Sequence, residues 1–306
     1  MTVPVLAGVE LGGTKTIAVI GHGRDILDRI AIPTTTPDET LGRIAAQLRL
    51  WHDTHRPEAL GIASFGPIAL SACHGTRGHM LPTPKAGWSG ADVLGVLAGA
   101  MPVPVALHTD VTAAALAEQR WGAARGLSDF VYITVGTGIG MGIVAGGRPV
   151  TGRMHPEAGH LRVRRLPGDG FAGVCDFHGD CLEGLASGPA IAARAGMSAE
   201  KLPQDHAAWA PVADALAEGI GSLLLTLACE RVVIGGGVGM GRPHLLDMVR
   251  ARIGAKLGGY LPSLGEGEIG NTIVHAALGG DAGPLGTLAL AETAFTDAPA
   301  TLLSSR

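Results

Sequence analysis

Cys175, His178 and Cys181 stand at C-x2-H-x2-C spacing, and two thiols with an imidazole so close together point to metal chemistry. Thiolate and imidazole are the ligand set of zinc, and short spacings let one turn present several ligands to a tetrahedral ion. A structural zinc site closes with four protein ligands. The fourth is expected from His160, at the end of Pro156-Glu157-Ala158-Gly159-His160, with His155 as the competing donor. The stretch from Leu161 to Ala172 is long enough to fold back. A redox cysteine pair or two buried thiols is the competing reading. Glu157 stands beside one arm and Glu183 follows the other, so a single ion would fix both carboxylates.

Glycine-rich turns form a second group. Gly12-Gly13-Thr14-Lys15 separates two apolar β-branched runs, Val5 to Val9 and Thr16 to Ile20. Strand, glycine turn, strand reads as a hairpin. Paired glycines let backbone N–H groups converge on an anion, while Thr14 and Lys15 add a hydroxyl and a charge. The G-x4-G-K-[ST] spacing of a Walker loop is absent. Gly136-Thr137-Gly138 repeats the pattern between Phe130–Val135 and a strand reaching Ala145. Two such hairpins suggest a duplicated fold, and facing one cleft they would clamp a polyphosphate. Gly235-Gly236-Gly237-Val238-Gly239 lies between a strand and a helix, where a phosphate or a flat ring approaches the backbone. Asp110 falls where the strand Pro102 to Leu107 gives way to the helix Val111 to Gln119. Strand ends of this kind bind ligands in open α/β sheets, and Asp is also a favoured helix cap.

The elements that position these residues alternate between β and α. After strand Ile26 to Ile32, a helix from Thr34-Thr35-Thr36-Pro37-Asp38-Glu39 to about Trp51 carries Leu41, Ile44, Ala45 and Leu48 at helical spacing. Ala59 to Ala63 is a strand. Leu81 to Trp88 is a proline-broken loop, of the kind that carries binding residues or merely connects. Helices follow over Gly184 to Ala195, Ala207 to Thr226, Pro243 to Lys256 and Leu285 to Ala294. Strands are expected at Arg231 to Ile234 and Asn271 to Ala276, with a frayed tail from Thr296.

The chain has 306 residues, 46% hydrophobic, with a formal net charge of −4 and a mean hydropathy of +0.30. That length accommodates two domains. The charge gives no electrostatic reason to expect nucleic acid, and four cysteines make no disulfide framework. No apolar run reads as a membrane span and no signal core opens the sequence, so a cytoplasmic protein is expected.

In order along the chain, Gly12-Gly13-Thr14-Lys15, Thr109-Asp110, Thr134-Val135-Gly136-Thr137-Gly138, Glu157-Ala158-Gly159-His160, Cys181-Leu182-Glu183 and Gly235-Gly236-Gly237-Val238 resemble the ROK sugar kinases. Thr83-Pro84-Lys85-Ala86-Gly87-Trp88 and the Cys175–Cys181 stretch are similar to the bacterial fructokinase branch. The resemblance implies an α/β, actin-like (hexokinase-like, ribonuclease H-like) ATPase fold of two domains with a cleft between. Met1 to Asp110 with the last helix, about 285–306, would form one domain and 111–284 the other. It implies ATP-dependent phosphorylation of a hexose, with fructose the expected sugar, and a homodimer with no nucleic-acid or membrane partner. Asp110 would accept the proton of the attacking hydroxyl. Gly12, Gly13, Thr14, Lys15, Gly136, Thr137 and Gly138 would hold phosphates with Mg2+, and Gly235, Gly236, Gly237 and Val238 the adenosine. Thr109, Glu157, His160 and Glu183 would line the sugar site. Zn2+ on His160, Cys175, His178 and Cys181 would be structural. Glu10 stands where most members have Asp, and Thr112 where Asn is usual.

Overall fold

The computed structural model describes residues 3–71 and 76–298. Their contacts divide the chain into two units. Residues up to Trp121, with Thr151–His155 and the segment from Asp281, make the first; Gly122–Val150 with Pro156–Gly280 make the second.

In the first unit, alternation along the strands builds a sheet covered on both faces. β1 (Leu6–Leu11) pairs antiparallel with β2 (Lys15–His22), which pairs with β3 (Asp25–Pro33). On its other side β1 runs parallel to β4 (Ala59–Ser64), and β4 to β5 (Val105–Thr109). Successive side chains point to opposite faces. Ala7, Val9, Leu11, Leu60 and Ile62 therefore join Leu41, Ile44, Leu48 and Trp51 of α1 (Pro37–His55) and Val93 and Leu97 of α2 (Val93–Ala100) in one core. α1 starts where Thr36 accepts the Glu39 N–H and Pro37 fills the first turn. α2 has no counterpart in the sequence reading, since Gly95 and Gly99 dilute its helical signal; Asp92 caps it by accepting the Gly95 N–H at 2.7 Å.

The opposite face is built for close approach. α3 (Asp110–Trp121) and the last helix, α10 (Ala282–Asp297), cover it. The expected boundary at Asp110 falls at the first residue of α3, and α3 goes with the first unit because it packs on α10. A Cβ on Gly61 would lie 1.8 Å from the Thr287 carbonyl oxygen and 2.8 Å from the Ala291 nitrogen, both backbone atoms of α10. Gly61→Ala is expected to push α10 off the sheet and to cost about 1–3 kcal/mol or more. Urea unfolding reads this, and an unchanged midpoint would refute the close packing. Residues 299–306 of the anticipated tail lie outside the described residues, while Thr296 and Asp297 still belong to α10.

The second unit repeats the strand order. β6 (Phe130–Val135) pairs antiparallel with β7 (Ile139–Ala145), β7 pairs with β8 (Arg148–Pro149), and β6 runs parallel to β9 (Arg231–Gly235), which pairs with β10 (Ile273–His275). The orders β3-β2-β1-β4-β5 and β8-β7-β6-β9-β10 correspond strand for strand. The helix anticipated over 184–195 is two pieces, α4 (Leu182–Ala186) and α5 (Gly188–Ala195). Ser187 stays extended because Pro189 cannot donate to a continuing helix, and its hydroxyl caps α5. α6 (Trp209–Leu227) is the core helix. It is long and apolar enough to cross a membrane, unlike the expectation that no segment would be, but 61% of its most apolar window is buried inside the protein. α7 (Gly236–Gly241) and α8 (Pro243–Leu257) follow β9, and α9 (Glu266–Thr272) takes the first residues of the strand expected from Asn271.

Candidate active site and metal centre

On the first unit the β1–β2 turn has its carbonyls tied down, and the Gly12 N–H closes it onto the Lys15 carbonyl at 3.1 Å. The Thr34 hydroxyl donates to the Gly12 carbonyl at 2.8 Å, and the Thr34 N–H to the Thr14 carbonyl at 3.0 Å. Lys85 Nζ donates to the Gly13 carbonyl at 2.6 Å. Among the described residues the Gly13 and Thr14 N–H groups have no partner, and both residues are exposed. Two unpaired N–H donors on one glycine turn are of the kind that can take an anion.

Asp110 opens α3 at the carboxyl end of β5. Its Oδ1 accepts the Val111 N–H at 2.8 Å, and among the described residues Oδ2 has no hydrogen bond to another residue. Burial pushes its pKa up to about 6, against backbone N–H bonds that pull it down. Glu10, on β1, is pushed up to about 7 by burial and then by the Asp110 charge, with Lys15 and Arg29 opposing. Thr109 is 4% exposed, and its hydroxyl donates to the Thr112 hydroxyl at 2.8 Å. The Thr109 N–H donates to His108 Nδ1 at 2.9 Å, so the ring proton sits on Nε2. Burial, and then the charge of His155, lower the His108 pKa to about 4, and the ring lines a 190 Å³ cavity with Ile68, Leu81 and Met154.

On the second unit the Gly136–Gly138 turn closes through Gly136 N–H to the Gly138 carbonyl, 3.0 Å, and receives the Gly188 N–H on the Gly136 carbonyl, 2.7 Å. Glu183 reaches the same turn, its Oε2 accepting the Ile139 N–H at 3.0 Å. Gly236 begins α7 at φ 82°, and a Cβ there would lie 2.5 Å from the Val135 carbonyl oxygen. Glycine alone lets this loop lie flat on the end of β6, leaving its backbone open to a ligand. This unit thus gathers Gly136, Thr137, Gly138, Glu183 and Gly235 to Val238.

His160, Cys175, His178 and Cys181 have donor atoms all within 4.8 Å of one another. His160 Nδ1 lies 3.6 Å from Cys175 Sγ and 3.5 Å from Cys181 Sγ, and His178 Nδ1 lies 3.7 Å from Cys175 Sγ. Bonds of about 2.3 Å to sulfur and about 2.0 Å to nitrogen at a tetrahedral centre place S and N about 3.5 Å apart. The quartet therefore fits zinc in chemistry and in spacing. Burial raises the Cys181 thiol to about 11, with Cys175 and Glu183 adding to it, a cost that a cation among the donors removes. Reciprocal backbone bonds between Cys175 and Gly179 close the knuckle. His155, the competing donor, accepts the Ile68 N–H at 3.2 Å through Nε2 and is not in the quartet. Glu157 stands at the start of the short helical turn that carries His160, with no capping bond from its side chain, and is exposed. Lys85 is the site residue that sequence reasoning left without a role; its signal was the lysine inside Thr83–Trp88.

Two α/β units with one strand order, each with a glycine turn after its first strand, are the architecture of the actin-like ATPases. Similarity resolves the family. The ROK family model matches residues 6–294. A fructokinase of Pediococcus pentosaceus is 38% identical, over 96% of this chain and 100% of that protein. A putative fructokinase of Bacillus subtilis (strain 168) is 40% identical, over 95% and 96%. The crystal structure of a ROK hexokinase from Thermus thermophilus matches with a TM-score of 0.80 at 28% identity, over 96% of this chain and 100% of that one. The chain belongs to the ROK family.

Proposed function

We propose that the protein is an ATP-dependent fructokinase that phosphorylates the 6-hydroxyl of fructose. The observation that carries the choice of sugar is the 38% and 40% identity, over nearly the whole chain, to relatives named fructokinase. Phosphoryl transfer asks a protein for in-line positioning and charge neutralisation rather than covalent help. The sugar oxygen bonds to the γ-phosphorus as the bond from that phosphorus to the β–γ bridging oxygen breaks. ADP leaves with the electron pair, and the hydroxyl proton passes to Asp110 Oδ2.

Gly12, Gly13, Thr14, Lys15, Gly136, Thr137 and Gly138 hold phosphate oxygens through backbone N–H groups and the Thr and Lys side chains. Gly235, Gly236, Gly237 and Val238 pack on the adenosine. Mg2+, when bound, would neutralise phosphate charge; Glu10 suits a cation because burial otherwise drives it towards protonation. His160, Cys175, His178 and Cys181 would hold Zn2+, which would fix the sugar segment and supply no chemistry to the phosphoryl group. His160 turns Nδ1 to the thiols, leaving Nε2 for a sugar hydroxyl, and Glu183 has Oε1 free for another. Glu157 adds a further acceptor. Thr109 acts through the Thr112 bond that shapes the start of α3.

A proton acceptor must be ionised. With Asp110 at about 6, kcat/KM is expected to fall roughly tenfold per pH unit below about pH 6 and to level off above it. The same shift works against stability: the favourable contribution of protonated Asp110 is full below about pH 4 and is lost as pH rises through about 6. A flat profile from pH 5 to 8 would remove Asp110 from the role.

The test is ADP release with ATP·Mg2+ against fructose, mannose, glucose and N-acetylated hexoses at matched concentrations. The highest kcat/KM on fructose is expected. Preference for another hexose would keep the kinase and overturn the sugar.

A further inference from the structure

The Leu81–Trp88 loop is anchored at one end and charged in the middle. Trp88 is fully buried, donates Nε1 to the Thr35 carbonyl at 2.8 Å, and meets Phe65 edge-on with ring centroids 5.2 Å apart. This lays Lys85 over the β1–β2 turn, where its Nζ donates to the Gly13 carbonyl at 2.6 Å and to the Thr34 carbonyl at 3.3 Å. An ammonium carries three N–H donors, and two carbonyls leave one uncommitted. Among the described residues no carboxylate pairs with Lys85. Two carbonyl dipoles hold the head in place, yet its charge is not neutralised. On the same turn, among the described residues, are the unpaired N–H groups of Gly13 and Thr14. The carbonyls explain where the ammonium sits. They do not explain why a full charge is kept there, because a neutral donor would hold the turn as well.

We propose that Lys85 is a catalytic residue whose spare N–H contacts the oxygens of the γ-phosphoryl group during its transfer. The inference rests on the fructokinase reading. Lys85 keeps all its protons throughout. The bonds made and broken are those between the sugar oxygen, the γ-phosphorus and ADP, and the ammonium offsets negative charge on the phosphoryl oxygens. Coming from the loop rather than from the glycine turn, it ties the order of that loop to the readiness of the phosphate site.

Three variants separate this role from that of a strut. Lys85→Gln retains an amide donor for the Gly13 carbonyl but has no charge. Lys85→Met has neither, and Lys85→Arg keeps the charge. Lys85→Gln and Lys85→Met are both expected to lose about 10²–10³-fold in kcat, the usual effect of deleting one transition-state donor. By calorimetry both should bind fructose within twofold of wild type and fructose 6-phosphate at least about tenfold more weakly. Lys85→Arg should recover much of both losses. If Lys85→Gln restores kcat and phosphate-ester affinity, Lys85 is a strut and the proposal falls. Equal weakening for fructose and its phosphate overturns it as well. Should Lys85→Met fail to fold, Lys85→Gln alone decides. Wild-type protein that turns over no sugar would sink the fructokinase reading itself, whereas active wild type with unaffected variants sinks the Lys85 role alone.

Discussion

Asp110→Asn is expected to lower kcat by about 10²–10⁴-fold, the range a positioned general base contributes, while fructose affinity stays near wild type. Asn keeps the shape of Asp, and its carbonyl oxygen can still accept the Val111 N–H that Oδ1 now takes at 2.8 Å. What disappears is the capacity of Oδ2 to take a proton. Helix capping, the competing account of this residue, gives a different result: Asn caps as well as Asp, so kcat would hardly move. Stability adds a second reading of the same variant. Asp110 is half-buried with its pKa raised to about 6, so its ionised form costs folding free energy above that pH. Asp110→Asn should therefore melt at or above the wild-type temperature at pH 8. Its neighbour Glu10 loses the negative charge that helps hold it at about 7 and should titrate lower. Near-normal kcat in Asp110→Asn would end its part in the mechanism.

Removal of zinc is the second large effect. Chelated protein, or Cys181→Ser, should lose bound zinc and fall in kcat/KM for fructose by at least the about 10–100-fold typical of damage around a metal site. Cys181 precedes α4, and Glu183 lies in its first turn. His160 reaches the same sulfur at 3.5 Å, while Gly159 packs directly on the Ile139 carbonyl, beside the N–H that Glu183 accepts. Losing the ion releases Glu157, His160 and Glu183 together. The loss should appear chiefly in fructose KM, with a smaller rise in ATP KM because Glu183 also holds the Ile139 N–H beside the Gly136–Gly138 turn. Stoichiometric zinc by elemental analysis and restoration of activity on its return complete the test. A metal-free protein with full activity contradicts the assignment.

The gathering of the Cys–His quartet was legible because candidate ligands leave a spacing signature: Cys175, His178 and Cys181 are local, and only His160 had to be chosen over His155. What decided that choice, the bond from the Ile68 N–H to His155, joins residues 87 apart and has no local trace. Asp110 could be placed because a β-branched run and an alanine-rich helix meet there. The duplicated hairpins were visible as repeated glycine–threonine turns, and the strand order bears the repeat out. α2 was lost among glycines, and the break at Ser187 was written in Gly188-Pro189 but outweighed by the apolar residues around it. Lys85 could be noticed and not understood, since its acceptors lie 72 and 51 residues away. The orientation of Thr109 towards Thr112 likewise depends on buried hydroxyls, for which sequence has no periodicity.

The most direct measurement of the central claim is phosphorus NMR of a reaction containing ATP, Mg2+ and fructose. Fructose 6-phosphate appearing in step with ADP, one for one, is the result expected. ADP formed with free phosphate and no sugar ester, or no change in ATP at all, would contradict it.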